Sequence, residues 1–416
     1  MTAPDTSSHD VTGLVEPGFE PVRDAFARNF EEGSELGAAF CVHVDGRKVV
    51  DLTGGSFDAA GSRPYGPDAL QLVFSSTKGA TAVCANLLAQ RGLLDLDAPV
   101  TTYWPEFAQA GKDSMPVRYL LCHQAGVPAV DRRLSPEELQ AWTPIIDALA
   151  EQTPFWEPGT AHGYHALSYG YLVGEVVRRI TGRSLGTIFA DEVAAPLGLE
   201  FFIGLPEEYE DRVSPIVGAN FEGAGTGNSD RQSNGNDDDS GSGPPEGYAS
   251  TLVARSLNLG GAIRDRDWMN QRAWHAAEMP GGNGITNAAS LSRLYAALIG
   301  PLDDGPDEPL LTPAQVERAR TPLTSGPDQV FASVGFILEQ KIGLGFWRSS
   351  PVTLFGGEGS FGHGGAGGSY GFADPENGLA VGYVMNKMAM EFVGDSRSHG
   401  LIGSVYEAIG ATPKYF

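Results

Sequence analysis

Ser75-Ser76-Thr77-Lys78 holds the pair of residues in this chain best suited to chemistry. Val73-Phe74 leads into it and the apolar run Ala82-Val83-Cys84-Ala85-Asn86-Leu87-Leu88 follows, so an extended segment is predicted to turn into a helix with Ser75 at its entrance. Residues three apart on a helix share a face, which makes the Ser75 hydroxyl and the Lys78 ammonium neighbours. The lysine can hold or accept the hydroxyl proton, and the helix dipole favours negative charge developing at that end. The same serine also reads as an ordinary N-cap. The pair alone does not separate the two readings.

Two other stretches could complete a site. Pro158-Gly159-Thr160-Ala161-His162-Gly163-Tyr164-His165-Ala166 places a tyrosine in a loop just before a helix. Its phenol could share a proton with the serine and lysine if the ammonium lowers its pKa. The alternative is a tyrosine with its ring in the core and its hydroxyl at the rim. In Gly362-His363-Gly364-Gly365-Ala366-Gly367-Gly368-Ser369, the glycines let a substrate approach a strand backbone, where an edge N–H could serve as an oxyanion donor. His363 could titrate near neutral pH and assist proton transfer, or be a polar residue at a strand end. Pro280-Gly281-Gly282-Asn283-Gly284 could wall a cleft and is assigned no chemistry.

The elements around these stretches follow from periodicity. Phe19, Val22, Phe26 and Phe30 predict a helix over 17–33. Ala38 to Thr53 alternates around Asp45-Gly46 as a hairpin, with His43 a structural or surface residue inside it. Helices are predicted at 116–122, 136–152, 166–182, up to Ala195, and 288–299. Beyond Val330 come short strands at 344–347, 353–355, 371–373 and 379–385, with a turn at Asp374-Pro375-Glu376-Asn377-Gly378, and a last helix at 395–410. Strands at both ends around a helical middle predict an α+β fold: one sheet from 17–90 and 330–416, and a helical lobe over 91–329. Residues 221–248, rich in Gly, Asn, Asp and Ser, read as a mobile surface loop, with a lid or calcium loop as the sharper alternative.

Composition narrows the partners. A chain of 416 residues suits two lobes or one fold with a large insertion. Its net charge of −24 would repel nucleic acid and anionic membrane alike. Met1 to Glu16 has no apolar core of a signal peptide, and no run of about 18 apolar residues exists to span a bilayer. Cys41, Cys84 and Cys122 are odd in number and lack metal-ligand spacing, so they read as buried reduced thiols in a cytoplasmic protein. No metal is expected.

Together the motifs resemble the serine β-lactamase and penicillin-binding protein superfamily, specifically its esterase branch, the family VIII carboxylesterases. Ser75-Ser76-Thr77-Lys78 matches Ser-x-x-Lys. Leu93-Leu94-Asp95-Leu96-Asp97-Ala98-Pro99-Val100 is similar to the family's connecting segment, and Leu120-Leu121-Cys122-His123-Gln124-Ala125-Gly126-Val127-Pro128 to its Leu-Leu-Thr-His-Thr-Ser-Gly-Leu-Pro stretch. Tyr164 falls on the tyrosine of Tyr-x-Asn, and His363-Gly364-Gly365 on Lys-Thr-Gly. The resemblance covers roughly 20–410 and implies a β-lactamase-like fold. It also implies a serine hydrolase working through an acyl-enzyme on Ser75, without metal or organic cofactor. Lys78 and Tyr164 become the general base and acid pair. The N–H groups of Ser75 and Ala366 form the oxyanion hole, and His363, Gly364 and Gly365 lie along the substrate. His123 takes a structural role, while His162 and His165 become surface or cleft-lining residues.

Two departures, Ala166 for the asparagine and His363 for the lysine, remove groups that hold a lactam amide and carboxylate. Losing a fixed cation weakens recognition of an anionic substrate, so a small neutral ester is favoured. An acyltransferase, an amidase or D-amino peptidase, and a weak β-lactamase would use the same residues. A binding protein on this scaffold would be expected to have lost the serine, lysine or tyrosine.

Overall fold

A computed structural model describes residues 11–218, 251–263, 265, 267–389 and 395–415. The stretch 221–248 read above as a loop lies outside them. A seven-stranded antiparallel sheet is built from both ends of the chain: β1 (Thr12–Val15), β2 (Gly37–Val44), β3 (Arg47–Gly55), β4 (Trp347–Arg348), β5 (Phe361–Gly364), β6 (Tyr370–Asp374) and β7 (Leu379–Met385). Their order is β1-β3-β2-β7-β6-β5-β4, so the two chain ends meet where β2 pairs with β7. The β2–β3 hairpin closes on Asp45 (φ 49°) and Gly46 (φ 80°). Positive φ at both central residues is the type I′ turn that matches strand twist.

Each face of this sheet has its own cover. Neighbours on a strand point to opposite faces, and Gly382 and Tyr383 of β7 illustrate the two sides. A Cβ on Gly382 would stand 2.4 Å from the Ala288 carbonyl, and one on its register partner Gly371 would stand 2.5 Å from the Tyr295 ring. Bare backbone there lets α4 (Ala288–Ile299) lie directly on the sheet. Tyr383 points the other way, towards α1 (Glu20–Glu31) and α5 (Ser396–Ala408), which pack on one another. Val22, Phe26 and Phe30, one turn apart, form the buried stripe of α1.

The helical region centres on α2 (Thr77–Gln90), buried continuously from Thr77 to Leu88 and flanked by α3 (Ser168–Thr181). A helix apolar all round is a core helix, which explains the unbroken run in its sequence. A small sheet of Gln71–Leu72, Ile285–Thr286 and Phe201–Phe202 ties the entry to α2 to the rest of the lobe.

Several elements differ from expectation. Although α4 falls within 91–329, its Ser292 hydroxyl lies 2.8 Å from His43 Nδ1 on β2 and donates to the Ala380 carbonyl at 3.1 Å. An amphipathic pattern shows that a face is buried, not against what. His43 is thereby a buried structural residue. The helix expected over 136–152 breaks at Trp142 (φ 66°), whose indole donates to Glu175 at 2.8 Å. Thr12–Val15 pairs as an edge strand where no strand was predicted. At 353–355 only an isolated bridge forms, from Thr353. Among the described residues no helix is long and apolar enough to cross a membrane.

Candidate active site

The nucleophile candidate sits on a strained turn. Phe74 has φ 45°, a left-handed conformation costly for a bulky residue. Its ring packs edge-on against Trp268, and Thr77 Oγ1 donates to its carbonyl while accepting from the Gly284 N–H at 2.7 Å. A short 3₁₀ turn, Phe74–Ser76, then runs into α2. Ser75 caps nothing. It is the one residue from Ala69 to Leu88 that is not buried. The turn therefore presents a single hydroxyl from an otherwise enclosed segment.

Lys78, fully buried, points its ammonium nitrogen back at that hydroxyl, 3.0 Å from Ser75 Oγ. Its other two partners are the carbonyls of Ala166 and Gly281, each at 2.6 Å. Burial holds the Lys78 pKa well below the ordinary lysine range. An ammonium would donate to all three oxygens, whereas the neutral amine that burial favours gives two N–H groups to the carbonyls and turns its lone pair to the Ser75 O–H. The Gly281 carbonyl comes from the 280–284 loop to which no chemistry was assigned. That loop reaches Lys78 because Gly170 on α3 leaves room: a Cβ there would stand 2.1 Å from the Gly281 nitrogen. The glycines of both segments are the only sequence signal of this approach.

Tyr164 is buried to 9% exposure, with its ring centroid 4.8 Å from Lys78 Nζ. The Ser75 side chain acts on the phenol, favouring its ionised form. Phe331 stacks on the ring at 6.2 Å, and Trp347 and His363 flank it at 5.8 and 6.4 Å. The expected lowering of its pKa does not occur. Burial pushes the phenol above its ordinary value, with Asp328 adding to the rise and only Ser75 opposing it. Tyr164 is a neutral hydroxyl here, able to pass a proton on but not to begin by removing one.

The loop carrying Tyr164 is bolted from beneath. The His165 N–H donates to His123 Nδ1 at 3.1 Å, and the Val127 N–H donates to His165 Nε2 at 3.0 Å. Ser256 donates to the Tyr164 carbonyl and accepts from the Ala166 N–H. His162 and His165, expected at the surface or along the cleft, are instead buried. An accepting ring nitrogen can fix a backbone N–H, a role that sequence does not distinguish from exposure.

On the opposite wall, β5 and the turn after it are clamped to the nucleophile segment. Ser76 Oγ lies 3.4 Å from the His363 carbonyl and 3.2 Å from the Ser369 carbonyl, and Ser369 Oγ donates to the Val73 carbonyl at 2.9 Å. Ser76 and Ser369, not singled out beforehand, set the spacing between the two sides. The Gly365 N–H donates to the Ser369 carbonyl at 2.7 Å, and a Cβ on Gly365 would collide with the Val73 carbonyl at 2.2 Å. Gly364 ends the strand and accepts from His363 Nδ1 at 2.7 Å. Ala366 is exposed, and among the described residues neither its N–H nor that of Ser75 has a backbone acceptor.

His363 does not behave as expected. It is 1% exposed, its ring centroid 4.1 Å from that of Trp347 and tilted 31° to it, and burial above all holds its pKa well below the ordinary histidine value. The bond to the Gly364 carbonyl requires Nδ1 to carry the hydrogen. It is thus a neutral imidazole and neither a titrating acid nor a cation. Among the described residues no group of side chains is placed to hold a metal ion.

Comparison with known proteins identifies the family and the fold. The β-lactamase family model matches residues 22–403. The chain is 32% identical over 412 residues to the Mycobacterium tuberculosis protein named esterase/beta-lactamase LipL, covering 93% of this chain and 87% of that one. Among solved structures, a family VIII carboxylesterase superposes with a TM-score of 0.82 at 35% identity, covering 96% of this chain and all of the other. A penicillin-binding protein homologue from Caulobacter crescentus gives 0.80 at 35% identity over the same shares of the two chains.

Proposed function

Because the chain belongs to the β-lactamase family, we propose that it is a serine carboxylesterase acting on small neutral esters. The observation that carries this reading is the Lys78 nitrogen, 3.0 Å from Ser75 Oγ and saturated by two carbonyls on its other side. In the proposed reaction, neutral Lys78 takes the Ser75 proton as Oγ attacks the ester carbonyl. The oxyanion so formed is met by the N–H groups of Ser75 and Ala366, both without a backbone acceptor. Collapse expels the alcohol as an alkoxide, which takes the Tyr164 phenol proton while Lys78 returns its proton to the phenol. Water then attacks the acyl-enzyme, with Lys78 accepting its proton and giving it back to Ser75 Oγ.

The preference for neutral esters rests on His363. A buried, neutral imidazole stands where the resembling family has lysine, and it supplies no fixed charge to a substrate carboxylate. Opening of β-lactams is the second reading, supported by the name esterase/beta-lactamase that the mycobacterial relative carries. A panel of p-nitrophenyl esters of rising chain length beside a chromogenic cephalosporin separates the two. The esters should turn over and the cephalosporin should lag far behind; equal rates would overturn the preference. Ser75→Ala should abolish labelling by a fluorophosphonate, and undiminished labelling would sink the assignment.

A further inference from the structure

The turn that carries the Ala366 N–H is held from behind by a buried arginine. Gly368 N–H donates to the Gly365 carbonyl at 3.2 Å, closing a four-residue turn with Ala366 second and Gly367 (φ 83°) third. Positive φ at the third position is the type II signature. Two donors anchor the turn at its third residue. The Gly367 carbonyl accepts from the Ala389 N–H at 3.0 Å and from Arg397 Nη2 at 2.6 Å.

Arg397 lies in the first turn of α5, with its side chain 2% exposed. All five of its N–H donors are used. Nε and Nη2 face the Asp395 carboxylate, Nη2 also reaches Gly367, and Nη1 donates to the Lys387 carbonyl at 2.8 Å and to Glu35 at 3.3 Å. Glu35 is in turn bonded by the Tyr383 hydroxyl from β7. Gly368 admits the guanidinium, since a Cβ there would stand 2.4 Å from Nη2. This planar fork therefore ties the turn to the sheet, to α5 and to the segment before β2 at once. A lysine ammonium has only three donors and no fixed plane, and cannot replace it.

We propose that Arg397 is a positioning residue for the oxyanion hole, fixing the 365–368 turn through the Gly367 carbonyl so that the Ala366 N–H stays aimed at the Ser75 adduct. The proposal rests on the esterase reading above. Arg397 touches no substrate. Its effect falls on the tetrahedral state, in which the oxyanion develops, and not on binding of the neutral ester.

Arg397→Lys, Arg397→Ala and Asp395→Asn test it in the full chain, the last preserving shape and the α5 cap while loosening the hold on the guanidinium. In each folded variant, kcat for a p-nitrophenyl ester should fall about 10- to 100-fold with KM changed less than about threefold. The inhibition constant of phenylboronic acid, whose adduct on Ser75 is tetrahedral, should rise by a similar factor. Added guanidinium at non-denaturing concentration should restore part of the rate to Arg397→Ala and none to the parent. Fluorophosphonate labelling of Ser75 should persist, slowed, so its outright loss in the parent would refute the esterase reading separately. If Arg397→Lys and Arg397→Ala do not fold, Asp395→Asn decides. Unchanged kcat and boronate affinity in it, or equal losses in kcat and substrate affinity in any folded variant, would overturn the proposal.

Discussion

The protonation state of Lys78 carries the most quantitative consequence. An ordinary lysine titrates near 10.4, so at pH 7 only about one molecule in 2,500 would have its amine free to act as a base. Catalysis would then climb tenfold per pH unit from neutrality to about pH 10. The structure argues for the opposite regime. Lys78 is fully buried, and its hydrogen-bond partners among the described residues are two carbonyls and the Ser75 hydroxyl, with no carboxylate. Burial drives its pKa well below the usual value, and it is this desolvation that favours the amine over the ammonium. We therefore expect the acid limb of kcat/KM for a p-nitrophenyl ester to level off well before the ordinary lysine range near pH 10. Lys78→Met should lower kcat/KM by about 10²- to 10⁴-fold, the usual contribution of a positioned base. It would also leave the Ala166 and Gly281 carbonyls without that donor, costing about 1–3 kcal/mol each where water does not replace it. Stopped assays across the pH range, with unfolding curves for the variant, measure both. A tenfold rise per unit continuing to about pH 10 in the parent enzyme would refute the neutral-amine argument, whatever the variant does.

Two more expectations follow from the same geometry. Ser76→Ala removes the clamp to the His363 and Ser369 carbonyls without touching Ser75. It should cost about 1 kcal/mol in urea unfolding and lower kcat more than it raises KM, and an unchanged kcat would show that the clamp is not needed. Asp328 is buried beside Tyr164, and burial raises its carboxyl from the ordinary aspartate range to about 6. The folded state then holds this proton more tightly than the unfolded one, so the stabilisation is complete below the unfolded value and is lost as pH rises through 6. The difference between the unfolded value and about 6 corresponds to at most roughly 3 kcal/mol. Urea midpoints at pH 4.5 and 7.5 should show Asp328→Asn losing this part of the pH dependence; an identical pH response in the variant would remove Asp328 as its source.

Local rules made much of the molecule readable from sequence. The Asp45-Gly46 hairpin, the stripe of α1 and the helix over Ala288–Ile299 lie where side-chain period and turn chemistry put them, because those signals involve residues only a few positions apart. Ser75, Lys78, Tyr164 and His363 were selected in the same way, by short motifs in a particular order. Tertiary structure decided what those residues are chemically. The partners of Lys78 come from Ala166 and Gly281, 88 and 203 positions away, and its burial comes from a helix enclosed on all sides. Tyr164 looked like a phenol to be acidified by a neighbouring ammonium. The fold enclosed both groups, and desolvation raised the one pKa and lowered the other. The same enclosure neutralised His363 and made buried braces of His123 and His165. A motif specifies which groups meet. Their charge depends on how much water the rest of the chain excludes around them, and that quantity belongs to the packed fold.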